Sequence, residues 1–577
     1  MGVLLQAAYR RAKGVSVPSP ADGDQRVAWW WDWLAAQAHA LRLAGFTAVL
    51  LPPVLKTSAG AATGADGYGP FDDYDIGSKD QCSSISTRFG TREQLQRCVA
   101  ILRANGLDVY LDTVPHQRHG GHKFVYQYLG AEGKPNAGRF PKHKECFFPN
   151  VPRDPIAGPR STDFGFGDEL CPVNARPPGY VMDGLIDAGD WLTQSLDVQG
   201  YRVDDVKGLA VEFVRRWLNS KSMAGKFAVG EYFDGNPGTL NWWCWQSGMM
   251  GRSNVFDFAL RFKLAAMCNN GSRWDMRQLD HAGMTGISPA NAVTFIDNPD
   301  TDLSFPVIWN KILGYAYILT AEGYPCVYYK DYAKDADCYG LKPAIDNLIW
   351  IHENLAFGTT ITRFKDFQAF VYERQAHPNL LVGLNNDMYG GWRSLAVYTG
   401  FGPNVQLHDY TGHGGDVWTD SSGAVTISIP PNDNGMGYVA YSRIGYDRAF
   451  SAIPYEVTQT FEGADDLDIA PAIDGRTVTV GRIWCGAGLP ARATLQIGRS
   501  GWTAGTAVDV ELLDPSGARL VSGTFTNRAP SPFKVEGVTR SVGWHSWQVF
   551  ARGLPPPGRA NYELVTSYTS TQTLEGA

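Results

Sequence analysis

Through residues 1–356 the chain alternates short apolar runs with amphipathic stretches. The runs are Val3–Ala8, Ala48–Leu51, Val109–Leu111, Tyr201–Val203, Phe227–Val229, Val255–Phe258, Ala292–Ile296 and Cys326–Tyr329, each the length of a strand buried on both faces. Between them lies helix punctuation. Thr91 and Gln94 are spaced as a capping box, Leu95, Val99 and Leu102 share a face, and Gly106 follows as a stop. Leu34, Ala38 and Leu41 line another helix that ends at Gly45, and Phe213, Val214, Trp217 and Leu218 line a third. Eight strand-then-helix units predict an α/β fold, a closed (β/α)8 TIM barrel and not an open doubly wound sheet.

The spacing of the units is uneven. Asp112 and Asp204 stand 92 residues apart, against ~30–40 for an ordinary unit. The excess is rich in Gly, Pro, Lys, Arg and Phe. It reads as a domain inserted after the third strand, residues 116–180, with the barrel formed by 1–115 and 181–356. Pro52–Phe89 is a second long connection, after the second strand. Both should emerge at the C-terminal rim, where barrels build active sites. Further on, period-two alternation takes over. Ala369–Tyr372, Ser394–Tyr398, Val425–Ile429 and Gly437–Ser442 predict an antiparallel sandwich over 357–447. Thr477–Val480, Ala493–Ile497, Val508–Leu513 and Trp547–Ala551 predict an additional β-sandwich over 453–577, an independent module whose loss should spare activity on a soluble substrate.

Composition narrows the partners. With 44% apolar and 19% charged residues the chain forms cores, and a net charge of −7 points neither to nucleic acid nor to an anionic membrane. No apolar run reaches the ~18 residues of a membrane span. The abundance of Trp and Tyr fits carbohydrate handling. Nine cysteines without a CxxC pair argue against a zinc cluster, and the odd count leaves at least one thiol unpaired in the monomer we expect. The opening MGVLLQAAYRR is too short and polar for a signal peptide. The chain is read as secreted and starting past a removed leader, or otherwise as cytoplasmic.

Carboxylates stand at the ends of four predicted strands: Asp112, Asp204, Glu231, and Asp297 with Asp300. One acid at a strand end is usually structural. Several converging on one barrel mouth repel each other and cost stability unless they perform chemistry. Paired carboxylates are the tools of glycoside hydrolysis, one neutral to protonate the leaving oxygen and one anionic to meet the sugar carbon.

The four segments, Leu111-Asp-Thr-Val-Pro-His-Gln117, Gly200-Tyr-Arg-Val-Asp-Asp-Val-Lys207, Val229-Gly-Glu-Tyr-Phe-Asp234 and Phe295-Ile-Asp-Asn-Pro-Asp-Thr301, resemble the signature regions of the α-amylase family, glycoside hydrolase family 13. Leu5-Gln-Ala-Ala-Tyr9, Trp29-Trp-Trp-Asp-Trp33 and Gly67-Tyr-Gly-Pro-Phe-Asp-Asp-Tyr-Asp-Ile-Gly77 resemble bacterial and plant members. The likeness runs from residue 4 to about 445, and only the ordered set is specific. It implies Asp204 as nucleophile, Glu231 as acid/base and Asp300 as the acid that steadies the transition state. It implies Tyr68 as the aromatic platform under the sugar, and Arg202, Gln117, Asn298, Asp112 and Lys207 as further groups around the substrate, an α-linked polysaccharide or oligosaccharide. Asp205 is the competing choice for nucleophile. Strand alternation should turn it to the opposite face.

Departures from the family pattern matter too. The family's Asn, a calcium ligand, is His116 here; its sugar-reading His is Gln117; a second such His is Pro299; and a third family His is Gly208. Imidazole is a poor substitute for an oxygen ligand, so Ca2+ is an open option that would rest on Asp112 and Asp168. The resemblance implies a retaining, endo-acting hydrolase of α-1,4-glucan. Two alternatives stay open: a hydrolase or transglycosylase of another α-linked polysaccharide, suggested by Gln117 and Pro299, and a non-catalytic carbohydrate-binding barrel. Three other features have plain readings. The basic run Lys134–Lys144 reads as a solvated loop. Trp242, Trp243 and Trp245 are either sugar platforms or packing. Trp484, Trp502, Trp544 and Trp547 form either a glycan-binding face or a sandwich core.

Overall fold

The structure is a computed structural model, and it describes residues 2–8, 29–62, 64–130, 138–156, 166–246, 248–335, 337–465 and 470–574. Eight parallel strands close into a barrel: β1 (Leu4–Gln6), β2 (Ala48–Leu51), β3 (Asp108–Thr113), β4 (Gly200–Val203), β5 (Phe227–Gly230), β6 (Asn254–Phe256), β7 (Ala292–Phe295) and β8 (Tyr324–Tyr328). They follow one another around the barrel in chain order, and β8 pairs back to β1. Every residue of β2, β4 and β7 is buried, as covered faces on both sides require. The predicted run Val255–Phe258 overshoots its strand. Asp257 ends it by accepting a bond from Leu260 N at 2.9 Å, and Phe258 already belongs to a helix.

The helices are α1 (Trp30–Ala44), α2 (Arg92–Ala104), α3 (Tyr180–Leu196), α4 (Val211–Leu218), α5 (Pro237–Trp245), α6 (Phe258–Asn270), α7 (Lys311–Ile318) and α8 (Lys342–Leu355). The capping box of α2 forms in both directions, with Gln94 N donating to Thr91 Oγ1 at 3.3 Å and Thr91 N donating to Gln94 Oε1 at 2.9 Å.

Packing divides the chain into two units, one of 1–9, 43–50 and 228–451, the other of 10–42, 51–227 and 452–577. In the first, a six-stranded sheet and a two-stranded sheet follow α8, closing around Val371, Leu381, Ile427 and Val439. In the second, two four-stranded sheets face each other at the C-terminus. Gly543–Arg552 alternates buried and half-buried positions along almost its whole length and sets Trp547 in the centre of that core.

The last sandwich is docked on the helices of its own unit. Ala100 of α2 belongs to the sandwich's buried cluster. Asn105 Nδ2 donates to Gln572 O at 2.8 Å, Gln572 Nε2 donates back to Ala104 O at 3.1 Å, and Tyr455 N donates to Arg103 O at 3.1 Å. The Arg97 guanidinium lies 4.8 Å from the Trp484 ring, with Trp544 beside it at 5.7 Å. These tryptophans are therefore not an open glycan face. Trp547 is core, Trp484 and Trp544 meet a barrel helix, and Trp502 packs on Phe533. The basic run also departs from its expectation, because Lys142 is buried and Arg139 pairs with Glu462 at 2.8 Å, whereas Lys144 is solvated and Lys134 lies outside the described residues.

This interface makes a removable C-terminal module a poor description. Deleting residues 452–577 is expected to expose Ala100 and the Arg97 side of α2, lower the thermal midpoint and raise binding of an apolar dye. A truncated chain that melts like the full chain in calorimetry would contradict this.

Candidate active site

In the unit that holds β3 and β4, adjacent strands set Asp112 opposite Arg202. The buried guanidinium donates from Nη1 to Asp112 Oδ1 at 2.6 Å and to Asp204 Oδ1 at 2.7 Å. Asp204 stands one residue past β4, and its N donates to Thr113 O at 2.9 Å, so β3 fixes where the carboxylate leaves the strand. The Tyr68 hydroxyl donates to Asp112 Oδ2 at 2.8 Å, and the Tyr68 ring lies 5.5 Å from the Arg202 guanidinium. Tyr68, Asp112, Arg202 and Asp204 thus form one bonded group. Charge-assisted bonds of this kind are shorter and stronger than neutral ones, and here they fix orientation as well as charge.

Gln117 joins the group from behind. It is buried, with Nε2 donating to Tyr68 O at 2.8 Å and Oε1 3.0 Å from His116 Nδ1. Its amide holds the backbone that carries the Tyr68 ring. His116 is fully buried, 3.6 Å from a Glu169 oxygen and 3.9 Å from Asp205 Oδ2. Strand alternation does not set the direction of Asp205. The strand has ended at Val203, and Asp205 adopts the left-handed conformation, φ 40°, that opens a short turn containing the half-buried Lys207.

The other unit carries Glu231 and Asp300. Glu231 follows β5 directly and is half-buried next to buried Tyr232. Asp300 is exposed in the loop after β7. Asn298 aims that loop, its Oδ1 accepting from Asp300 N at 3.1 Å and Thr301 N at 2.8 Å. Asn298 and Gln117 were both expected at the substrate; in each, a polar atom is spent on positioning the neighbouring group instead. Asp297 is wholly structural. It accepts from Arg261 at 2.6 Å, Thr301 at 3.0 Å, Val307 N at 3.0 Å and Lys311 at 2.7 Å, and Lys311 also bonds Asp331. Of the α5 tryptophans, Trp243 is buried while Trp242 and Trp245 are about half exposed.

The side chains suggested for calcium have protein partners. Both Asp112 oxygens are bonded, one to Arg202 and one to Tyr68. Asp168 Oδ2 accepts from Tyr126 at 2.8 Å, and His116 faces Gln117. Among the described residues no three His, Cys, Asp or Glu side chains gather as a metal cage.

Sequence reasoning missed a buried ion cluster beside this site. Asp73 bonds Arg118 through one oxygen and Lys142 through the other. Lys142 Nζ also lies 3.1 Å from the Tyr128 hydroxyl, and Arg118 Nη1 donates to Val114 O at 2.7 Å. Burial alone would raise the Asp73 pKa, but the Arg118 and Lys142 charges outweigh it and hold the carboxyl well below the usual carboxylate range. Three segments, the loop after β2, the start of the insertion and the former basic run, meet on one carboxylate. The Gly67–Gly77 motif contained the signal for Asp73; nothing marked its partners.

Known proteins resemble this chain over most of its length. The family described as Alpha-amylase C-terminal matches residues 380–442. The chain is 29% identical over 482 residues to the glucan 1,4-alpha-maltohexaosidase of Bacillus sp. (strain 707), covering 72% of this chain and 88% of that protein. It is 28% identical to the α-amylase of Geobacillus stearothermophilus, covering 70% and 81%, and 26% identical to the cytoplasmic α-amylase of Escherichia coli K12, covering 69% and 93%. The crystal structure of the Geobacillus thermoleovorans α-amylase complexed with acarbose superimposes with a TM-score of 0.55 at 18% identity, over 77% of this chain and 99% of that one, a likeness of fold. The protein is an enzyme, a glycoside hydrolase of the α-amylase type. The relatives and the matching C-terminal model support the α-amylase family, glycoside hydrolase family 13. No helix among the described residues is long and apolar enough to cross a membrane.

Asp73→Asn is expected to cost ~3–5 kcal/mol, because it leaves a buried ammonium and guanidinium without their counter-charge. The depressed Asp73 carboxyl contributes stability above its unfolded pKa and loses it as acid protonates the group. Wild-type stability should therefore fall below about pH 4, and D73N should flatten that slope. Denaturant melts of both proteins between neutral and acid pH check this; parallel curves would refute it.

Proposed function

We propose that this enzyme hydrolyses α-1,4-linked glucan at internal bonds, with retention of anomeric configuration. Asp204, as carboxylate, attacks the anomeric carbon and forms a glycosyl ester. The glycosidic C–O bond breaks, and Glu231 gives its proton to the leaving oxygen. Water then attacks the same carbon, Glu231 takes the proton from it, and the bond to Asp204 breaks. Asp300 binds sugar hydroxyls and steadies the oxocarbenium-like transition state, and Tyr68 stacks under the ring being cut.

The observation that carries this reading is the Arg202 bridge between Asp112 and Asp204. A guanidinium bonded to a carboxylate favours the ionised form that a nucleophile needs. The names of the relatives, α-amylases and a maltohexaosidase, support α-1,4-glucan as substrate. Gln117 supports ordinary glucose at the cut over an altered sugar. Its side chain braces Tyr68, so losing the family's imidazole there leaves a rebuilt support for the platform and no empty sugar-reading position.

Asp204→Asn and Glu231→Gln should each keep the fold and lower turnover on soluble starch by several orders of magnitude, whereas Asp205→Asn should be far milder. Reducing-end release measures this, and near-wild-type turnover in either of the first two would remove the assignment. Wild type should release oligosaccharides of mixed length early in the reaction, with α-configured ends visible by proton NMR. Activity confined to a different α-glycan would overturn the substrate.

A further inference from the structure

We infer that Lys56 is a positioning residue for Tyr68, serving as a protein-borne cation around which the loop after β2 is built. The side chain is buried. Its ammonium is bonded to Lys79 O, and it stands 2.8 Å from Ser84 O, 3.0 Å from Ile85 O, 3.3 Å from Gln81 O and 2.8 Å from Asp75 Oδ2. Five oxygens surround a group with three N–H bonds. This is the environment of a spherical ion more than of a hydrogen-bond donor with fixed partners. The distances to Ser84 O, Ile85 O and Asp75 Oδ2 lie within the ~2.7–3.2 Å of N–H···O bonds.

The backbone links this cage to the active site. Lys56 N donates to Asp75 O at 2.8 Å, Phe71 N donates to Lys56 O at 3.0 Å, and Ser58 N donates to Gly69 O at 3.2 Å. Tyr68 is the next residue in that clasp. Asp75 completes the other side, its Oδ1 accepting from Gly77 N at 2.9 Å and Ser78 N at 3.1 Å. The carbonyls of residues 79–85 converge and would repel one another without a positive charge at their centre. Removing the ammonium therefore frees the base of the clasp, and Tyr68 loses its fixed height over the Asp112–Arg202 pair. The cage follows from geometry alone; its catalytic consequence rests on the glucan-hydrolase reading above.

The experiment compares wild type with Lys56→Ala, which opens the cage, and Lys56→Met, which fills it with an uncharged chain. Thermal midpoint and starch kinetics are measured in ammonium chloride and in tetramethylammonium chloride at equal ionic strength. K56A should melt lower than wild type and recover in ammonium but not in the bulky ion. K56M should melt lower and ignore both salts. In each folded variant, kcat/KM on soluble starch should fall about tenfold, carried by KM, because Tyr68 binds the ring in ground and transition states alike. In K56A, ammonium should restore KM. A K56A midpoint indifferent to ammonium, or a wild-type KM in folded K56M, overturns the inference. If K56A proves insoluble, Lys56→Gln replaces it: a raised KM with native circular dichroism supports the need for charge, and a wild-type KM overturns it. A wild type without starch activity would defeat the functional reading instead, while the ammonium-dependent midpoint of K56A would still decide the cage.

Discussion

A strand buried on both faces can hold a charged side chain only where an opposite charge is within reach. That constraint organises this enzyme. The barrel strands are almost wholly apolar, and the buried Arg202 is neutralised by Asp112 one strand away and by Asp204 one residue beyond its own strand. An ion removed from water costs several kcal/mol, so such a pair is tolerated only with near-ideal geometry. That geometry also delivers an oriented carboxylate to the rim. The bonds that offset the cost of burying charge are the ones that hold Asp204 in the proposed mechanism.

The rule extends to the loops. Segments between strands carry backbone polar groups that no ladder satisfies, and those that fold inward must find partners elsewhere. Here buried cations supply them. Lys56 gathers carbonyls from residues 79–85, Arg118 bonds Val114 O and Gln117 O, and Lys142 closes on Asp73 beneath the aromatic rings of Tyr128 and Phe140. On the other unit Lys311 does the same for Asp297 and Asp331. A cationic side chain brings charge and several donors on a tether whose loop closure is part of folding, so each segment arrives with its own organising ion.

Much of the architecture was legible in sequence because burial on two faces demands uninterrupted apolar runs, and the runs at Ala48–Leu51 and Tyr201–Val203 mark their strands closely. The period-two pattern of the C-terminal sheets was equally plain. Charged groups were the failure. Lys142 looks solvated in a basic run, since its counter-ion Asp73 lies 69 residues away. Trp484 and Trp544 were left between a glycan face and a sandwich core because the helix they meet belongs to a distant segment. Asp205 was assigned its direction from strand geometry, which ceases to apply one residue after β4 ends. Apolar residues declare their environment through local periodicity, whereas a charge is explained only by a partner that sequence order does not reveal.

This difference also accounts for the departures from the family pattern around the substrate. A histidine exchanged for glutamine at position 117 looks, in a linear motif, like a lost sugar contact. In three dimensions the amide offers a donor and an acceptor on one end, and both are used, toward Tyr68 O and toward His116. His116, standing where the family has a calcium ligand, is the group Gln117 leans on. The two positions are thus coupled in this chain, a buried pair whose one amide joins His116 to the backbone that carries the Tyr68 ring.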